Sequence, residues 1–224
     1  MSKGKKPKKP ISKKTQSLLK DLQRKYGVRD LAKRFLIVCE DDKSAPNYFQ
    51  ALKKHFNLSA TSIVVVGSDG HSQPIQVVKR AIQLKLNAAK AGSGTEPFDQ
   101  VWCVIDGDYG IKIHNARASA TAKGIDLAIS TPCFEYWVLL HFEESATPAI
   151  DCDAVIHTLK KKKYLANYDK GKCDFSQIVV NVHEACKRAA KLRKPELLLA
   201  TLPEDQNPCS EVYKLVDAIL GARS

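Results

Sequence analysis

The sequence lacks the long apolar runs, paired cysteines and signal segments that define several large protein classes. No apolar stretch among its 224 residues approaches the ~20 residues of a membrane span, so no membrane partner is expected. The seven cysteines are odd in number and form no Cys-x-x-Cys pair, which argues against a disulfide framework and against a zinc site. We therefore expect reduced thiols in a cytoplasmic protein.

Motifs for several common activities are also missing. The chain has no Gly-x-x-x-x-Gly-Lys-Ser/Thr loop, so it is not expected to hydrolyse ATP itself. No spacing points to a Ser/His/Asp triad, and His141 lies in an apolar segment where a hydrogen-bonded core histidine is expected. The composition, 44% hydrophobic and 27% charged, is that of an ordinary globular chain.

Nearly all of the net charge of +12 lies at the N-terminus. Residues 1–34 hold ten Lys and three Arg against two Asp, and we expect residues 1–30 to form a largely disordered basic arm. A flexible polycation gains free energy when it releases counterions from nucleic acid, which predicts a nucleic-acid-binding arm. A solubilising tail is the alternative. The lysines expected to contact nucleic acid are Lys5, Lys6, Lys8 and Lys9.

The rest of the chain alternates strand-like and helix-like patterns. Such alternation indicates parallel βαβ units, and therefore an α/β fold with a small parallel sheet flanked by helices. From about residue 146 the strand patterns fade. We expect an α/β core over residues 31–145 and a helical C-terminal region over 146–224 packed on it. The apolar runs that predict strands are 35–39, 62–66, 101–105 and 125–130, and the C-terminal helices are expected near 151–162, 175–193 and 210–220.

Acidic residues follow two of the predicted strands. Glu40 follows the first strand, and Asp106 and Asp108 follow the third. Because the carboxyl ends of parallel strands line the ligand-binding edge of such a sheet, these carboxylates fall where the fold builds its site. Mg²⁺ prefers carboxylate oxygens, and Gly107 allows the tight turn between the two aspartates. The pattern predicts a Mg²⁺ or Mn²⁺ site able to act on a phosphodiester, with a helix cap, turn pair or surface charge as the alternative.

Other charged residues are candidates for supporting roles. Asp42 is a candidate ligand of a second metal ion, and Lys43 is a candidate for neutralising a phosphate. Both positions also suit an ordinary loop or helix-cap residue. On a predicted C-terminal helix, Lys187, Arg188 and Lys191 share one face, which suits either a phosphate backbone or plain solvent.

Five segments together resemble the motifs of the RloB-like family, and they span about residues 35–217. The resemblance implies a Toprim-like fold, in which a glutamate follows the first strand and an Asp-x-Asp pair follows the third. It also implies a Mg²⁺-dependent nuclease. The segments are 35–49 (FLIVCEDDKSAPNYF), 101–108 (VWCVIDGD), 129–143 (ISTPCFEYWVLLHFE), Tyr168-x-Lys170 and 207–216 (NPCSEVYKLV).

On the matching positions, the resemblance makes Glu40 the Toprim-like glutamate and Asp106 with Asp108 the Asp-x-Asp pair. Glu135 and Lys170 match further motif positions, and we expect both to be catalytic, with Lys170 or Glu40 in proton transfer. Ala45 departs from the family pattern, because a glutamate is common there. That loss removes a possible ligand of a second metal ion and leaves Asp42 as the candidate.

Family members are associated with restriction-linked loci and abortive phage defence in bacteria, often beside an ABC-type or AAA-type ATPase. The leading hypothesis is therefore a metal-dependent nuclease for RNA, tRNA included, or for DNA, controlled by such an ATPase. The alternative is a non-catalytic nucleic-acid-binding or sensor subunit of an ATPase complex. The sequence does not discriminate between RNA and DNA.

Overall fold

The computed structural model describes residues 33–58, 63–70, 72–90, 97–149, 151–193 and 206–222. The predicted basic arm and its four lysines lie outside these residues. The described part is an α/β fold, as predicted, with a five-stranded, mostly parallel sheet flanked by helices. Within it, no helix is both long and apolar enough to cross a membrane.

The four predicted strands are present, each followed by a helix. They form because each is a short apolar run between polar segments, and such runs bury both faces of a parallel sheet. In chain order the elements are β1 (Phe35–Cys39), α1 (Ser44–His55), β2 (Ile63–Val66), α2 (Pro74–Lys90), β3 (Gln100–Asp106), α3 (Ile111–Thr121), β4 (Asp126–Thr131) and α4 (Phe134–Leu139).

The C-terminal region is mainly helical, with one short strand that the sequence analysis did not predict. Ser210 lies opposite Ser130 of β4 in antiparallel pairing, and their hydroxyl oxygens are 2.7 Å apart. Two residues are too few to show the alternation that reveals a strand in a sequence. The elements are α5 (Cys152–Lys161), two 3₁₀ turns (Phe175–Gln177 and Val179–Asn181), α6 (Val182–Leu192), β5 (Cys209–Ser210) and α7 (Val212–Gly221).

The strand order β2-β1-β3-β4-β5 places the first and third strands side by side. β1 pairs in parallel with β2 on one side and with β3 on the other. The chain therefore moves in opposite directions across the sheet after β1 and after β3. Open α/β sheets bind their ligands outside the carboxyl ends of the strands at such a reversal point. That point lies between the ends of β1 and β3.

Alternate residues of the strands pack on opposite faces of the sheet. Leu36 and Val38 belong to a cluster formed with α2 and α3. Phe35 and Ile37 belong to a larger cluster, to which α1, α4, α5, α6 and α7 contribute. Because successive side chains of β1 point to opposite faces of the sheet, this one strand contributes to both clusters of the core.

Two of the seven cysteines form a disulfide, which corrects the expectation that every thiol is reduced. Cys133 directly precedes α4 and Cys152 begins α5, and their Cα atoms lie 5.6 Å apart. The other five cysteines are free. The sequence could not reveal this pair, because the packing of α4 against α5 brings the two residues together.

His141 is a core histidine, as expected from its apolar segment. It is 2% exposed. Its Nδ1 donates to the Trp137 carbonyl at 3.0 Å, and its Nε2 accepts from the Tyr48 hydroxyl at 3.0 Å. Burial lowers the pKa of His141 to about 4. The imidazole is therefore neutral in the folded protein at neutral pH.

A histidine that is buried in its neutral form makes stability depend on pH. Because the folded pKa is lowered from 6.5 to about 4, the contribution of His141 is present above pH 6.5 and is lost as pH falls to 4. In His141→Gln the side-chain amide stays polar and does not titrate. We expect the stability of the wild type relative to this variant to fall by on the order of 3 kcal/mol between pH 6.5 and 4. Urea denaturation of both proteins measures the difference, and a pH-independent difference would contradict the prediction.

Candidate active site

Glu40 and Asp106 lie side by side at the carboxyl edge of the sheet. Cys39 and Val104 are opposite each other in the β1–β3 pairing, so the residues that follow fall at the same level. The backbone N–H of Asp106 donates to Oε2 of Glu40 at 3.0 Å. The N–H of Glu40 in turn donates to the Val104 carbonyl at 3.0 Å. These bonds hold the Glu40 side chain against the start of the Asp-x-Asp turn.

Burial makes the Glu40 carboxyl difficult to ionise. The residue is 8% exposed, and burial raises its pKa to about 7. Hydrogen bonds from the Tyr109 hydroxyl and the Asp106 N–H act in the opposite direction, while the charges of Asp108 and Asp41 raise the pKa further. Asp108 is itself exposed, yet it lies close enough to act on Glu40.

The carboxyl group of Asp106 is even more difficult to ionise than that of Glu40. Burial, followed by repulsion from Glu40 and Glu135, raises its pKa well above the usual range. A backbone N–H at the start of α4 and the Lys170 ammonium partly offset this effect. The N–H is that of Phe134, which donates to Oδ1 of Asp106 at 2.9 Å. Several carboxyl groups are therefore held together against their repulsion, which a divalent cation would relieve.

Gly107 is required by the close approach of the Asp-x-Asp turn to the end of β4. A Cβ atom on Gly107 would lie 2.0 Å from Oγ1 and 2.8 Å from Cα of Thr131. The Gly107 N–H donates to the carbonyls of Ser130, at 2.8 Å, and Pro132, at 3.1 Å. The glycine thus lets the turn lie directly on the β4 backbone, which sets the position of both aspartates.

Tyr109 is a site residue that the sequence analysis missed. Its hydroxyl donates to Oε1 of Glu40 and lies 3.1 Å from the carbonyl oxygen of Ser72, in the segment before α2. Both oxygens of Glu40 therefore accept a hydrogen bond, one from Tyr109 and one from Asp106. The only sequence signal was the position of Tyr109 directly after the Asp-x-Asp pair.

A second acidic centre lies at Glu135, next to the first. Glu135 is 1% exposed, and its Oε1 accepts hydrogen bonds from Ser44 Oγ at 2.8 Å and Tyr168 Oη at 2.9 Å. Its Oε2 is 3.2 Å from Nζ of Lys170. The start of α1, helix α4 and the segment around residues 168–170 thus meet at one buried carboxylate. Ser44 and Tyr168 were not among the predicted site residues.

Lys170 carries a positive charge beside these carboxylates. Burial lowers its pKa, but attraction to Glu135, Asp106 and Asp41 outweighs that effect, and the net shift is upward. The ammonium group therefore stays protonated at neutral pH. Since 41% of the side chain is exposed, the charge is accessible to a ligand from solvent.

Asp41 and Asp42 have local roles around the start of α1. Asp41 accepts hydrogen bonds from the backbone N–H groups of Ser44, at 2.6 Å, and Ala45, at 3.2 Å. Asp42 accepts at both oxygens from the loop after β2, from Ser68 Oγ at 2.9 Å and from a backbone N–H at 3.1 Å. Each Asp42 oxygen keeps a second lone pair, so Asp42 stays a candidate ligand of a second metal ion.

The basic residues predicted to bind nucleic acid differ in their surroundings. Lys43 is exposed, and its side chain lies beside Gly171, next to the lysine of the site.

On α6, two of the three predicted residues are exposed and one is not. Lys187 pairs with the glutamate three residues before it at 2.7 Å, and Lys191 pairs with Glu144 at 2.9 Å. Arg188 donates to the carbonyl of Leu140 at 2.8 Å, so its guanidinium holds the end of α4. Lys187 and Lys191 therefore remain at the surface, each paired with a glutamate, while Arg188 has a structural contact.

The carboxylates at the ends of β1 and β3 suit a hard divalent cation. Each oxygen that accepts one hydrogen bond keeps a second lone pair for a metal ion. Among the described residues, the group of acids and thiols whose ligand atoms all lie within 4.8 Å of one another is Cys133, Glu135 and Cys152. The disulfide removes both thiols from that group. Glu40, Asp106 and Asp108 are spread more widely than this, so a side-chain movement or bridging water molecules would be needed for all three to hold one Mg²⁺ ion.

Comparison with known proteins places the chain in a family. No curated protein and no solved structure matches it. A family model described as RloB-like protein matches residues 35–219. This span begins with the first residue of β1, reaches into α7 and contains Glu40, the Asp-x-Asp turn, Glu135 and Lys170. The chain therefore belongs to the RloB-like family.

Proposed function

We propose that the protein is a metal-dependent nuclease that hydrolyses phosphodiester bonds in RNA or DNA. The observation that carries the proposal is the pairing of Glu40 with Asp106 at the reversal point of the sheet. Both carboxyls have raised pKa values there, and an accessible ammonium group lies beside them. Acids that are strained by mutual repulsion, in the crevice where this fold binds ligands, are typical of a functional site.

Glu40, Asp106 and Asp108 would hold the metal ion, either Mg²⁺ or Mn²⁺. When bound, the ion would activate a water molecule and stabilise the charge on the leaving oxygen. The hydrogen bonds from the Asp106 N–H and the Tyr109 hydroxyl orient Glu40 before any ligand arrives. The Phe134 N–H does the same for Asp106.

Lys170 would act on the substrate phosphate. Its protonated amine is a donor that suits a non-bridging phosphate oxygen, or a proton source for the leaving oxygen. Glu135 keeps the amine charged and in place, and the bonds from Ser44 and Tyr168 keep Glu135 itself in place. In this proposal Lys170 is catalytic and Glu135 is a positioning residue.

The family resemblance supports a cytoplasmic role in phage defence, with control by a partner ATPase of the ABC or AAA type. The second candidate function is a sensor subunit that binds nucleic acid without cleaving it.

Cleavage assays on several nucleic acids test the proposal. The full chain would be incubated with labelled tRNA, single-stranded DNA and plasmid, in Mg²⁺ or Mn²⁺ and in EDTA. We expect cleavage that EDTA abolishes and that Asp106→Asn lowers at least about 100-fold, since even outer partners of metal sites contribute 10–100-fold. Asp126→Asn is the matched control, because Asp126 is exposed at the opposite end of the parallel strands. Its activity should equal that of the wild type.

The outcomes separate the two candidate functions. Absence of cleavage together with metal binding that requires Asp106 would indicate a formed site that a partner restrains. Absence of both cleavage and metal binding would overturn the nuclease and favour the sensor subunit.

A further inference from the structure

The disulfide lies directly behind the Asp-x-Asp turn. Cys133 is 1% exposed and immediately precedes Phe134, whose N–H donates to Oδ1 of Asp106 at 2.9 Å. On its other side, the carbonyl of Pro132 accepts from the Gly107 N–H at 3.1 Å. The segment 132–134 therefore touches the first two residues of the turn, and a tether on Cys133 restrains that segment.

The other half of the disulfide lies at the Glu135–Lys170 pair. Cys152 begins α5, and its sulfur is 3.1 Å from Oε2 of Glu135 and 3.6 Å from Nζ of Lys170. Cys152 is the more exposed of the two cysteines, since it is only partly buried. One covalent bond thus connects the backbone that supports Asp106 with the ion pair of Lys170.

We propose that Cys133 and Cys152 form a reversible thiol–disulfide site that controls the geometry of the carboxylate cluster. In the reducing direction, one thiolate of a dithiol reductant attacks the Cys152 sulfur, and Cys133 leaves as a thiolate that takes up a proton. The second thiolate of the reductant then attacks the mixed disulfide and releases Cys152. The reductant ends as a disulfide and the protein as two thiols. A small-molecule disulfide, such as oxidised glutathione, drives the reverse exchange.

The surroundings of Cys152 act on a thiolate in both directions. The Lys170 ammonium group and the N-terminal end of α5 stabilise a thiolate on Cys152, whereas the Glu135 carboxylate at 3.1 Å opposes it. The free cysteines Cys39, Cys103, Cys186 and Cys209 are buried, and burial raises the pKa of each of their thiols. In a reducing cytoplasm, a disulfide of this kind is transient and serves catalysis or redox sensing.

Reduction would change both ends of the site. The Cys152 thiol becomes a hydrogen-bond donor to Oε2 of Glu135, and its thiolate competes with that oxygen for Lys170. Cys133 loses its tether, so the Phe134 N–H is held to Asp106 less firmly. Of these consequences, only a change in the rate of cleavage rests on the proposed nuclease function. The disulfide and its effect on the hydrogen bond between the Phe134 N–H and Asp106 do not depend on that function.

Thiol counting tests whether the bond exists. The full chain, purified without reductant, would be unfolded, alkylated with a maleimide and weighed by mass spectrometry. We expect labelling of the five free cysteines before reduction and of all seven cysteines after it. Cys152→Ser should show no change on reduction, whereas Cys173→Ser, at another partly buried cysteine, should gain two labels like the wild type. Seven labels in the unreduced wild type would overturn the proposal.

Hydrogen exchange tests whether the bond controls the site. In the reduced protein and in Cys152→Ser, we expect the Phe134 amide to exchange at least about tenfold faster than in the oxidised protein, because local opening limits its exchange. Cys173→Ser should match the oxidised wild type. Equal protection in both redox states would overturn the coupling. Neither readout requires nuclease activity, so failure here is distinguishable from failure of the proposed function.

Discussion

Asp106→Asn is expected to weaken Mg²⁺ and Mn²⁺ binding at least about 100-fold while making the metal-free protein more stable. The asparagine Oδ1 can still accept the Phe134 N–H, so the start of α4 stays in place. The charge that repels Glu40 and Glu135 is lost. A variant that merely disrupts the fold would lose stability and metal binding together, and the opposite directions expected here exclude that explanation.

The raised pKa of Asp106 explains why Asp106→Asn should be more stable than the wild type. A group whose folded pKa lies above its unfolded value, here 3.8, contributes stability below that value and loses the contribution as pH rises through the folded pKa. At alkaline pH the wild type therefore carries the full cost of ionising Asp106, and asparagine does not. The gain in stability of the variant should grow with pH and vanish in acid.

Two measurements check this prediction. Titration calorimetry should show that the affinity for Mg²⁺ or Mn²⁺ falls at least about 100-fold. Thermal melting without metal should show a higher Tm at pH 8, by about 2–4 °C for each kcal/mol regained in a chain of this size. Asp126→Asn, at the exposed start of β4, should change neither quantity. Wild-type metal affinity in Asp106→Asn would remove Asp106 from the site.

Gly107→Ala is expected to disrupt the site by moving the Asp-x-Asp turn away from β4. The added methyl group would lie 2.0 Å from Oγ1, 2.7 Å from Cβ and 2.8 Å from Cα of Thr131. A rotation of the threonine side chain relieves the first contact but not the other two. The backbone must therefore shift, and the hydrogen bonds from the Gly107 N–H to Ser130 and Pro132 weaken with it.

We expect this single methyl group to lower the free energy of unfolding by about 3 kcal/mol, the upper part of the usual cost of overpacking. Metal affinity should fall more than about tenfold, because a shift of the turn moves both aspartates relative to Glu40. Urea denaturation and calorimetry measure the two effects. Gly221→Ala is the matched control, because a Cβ atom there would meet no heavy atom within 4 Å. Wild-type stability in Gly107→Ala would show that the turn does not need the close approach.

The arrangement around Glu135 shows how far sequence patterns reach. The resemblance picked out Glu135 and Lys170 separately, and the structure joins them in one ion pair. Ser44 and Tyr168, which orient the same carboxylate, carried no signal of their own. Their contacts connect residues 91 and 33 positions apart in the chain, and such separations leave no trace in a local pattern.

Asp42 and Tyr109 show the same limit. Asp42 lies two residues after Glu40, which made it a candidate ligand, but the sequence did not reveal that its oxygens accept hydrogen bonds from Ser68 and the neighbouring backbone. Tyr109 carried no prediction, yet its hydroxyl contacts Glu40 directly. Proximity in the chain does not determine the direction of a side chain, because the packing of the surrounding loops decides it.

The sequence by itself determined the four parallel strands and the positions of Glu40 and the Asp-x-Asp pair at their ends. These features are local, because an apolar run specifies a buried strand and the next polar residue must lie at its end. Only the tertiary structure decided the antiparallel β5, the Cys133–Cys152 disulfide and the contact between Glu40 and the Asp106 N–H. These features depend on strand order and helix packing, which bring together segments that are far apart in the chain.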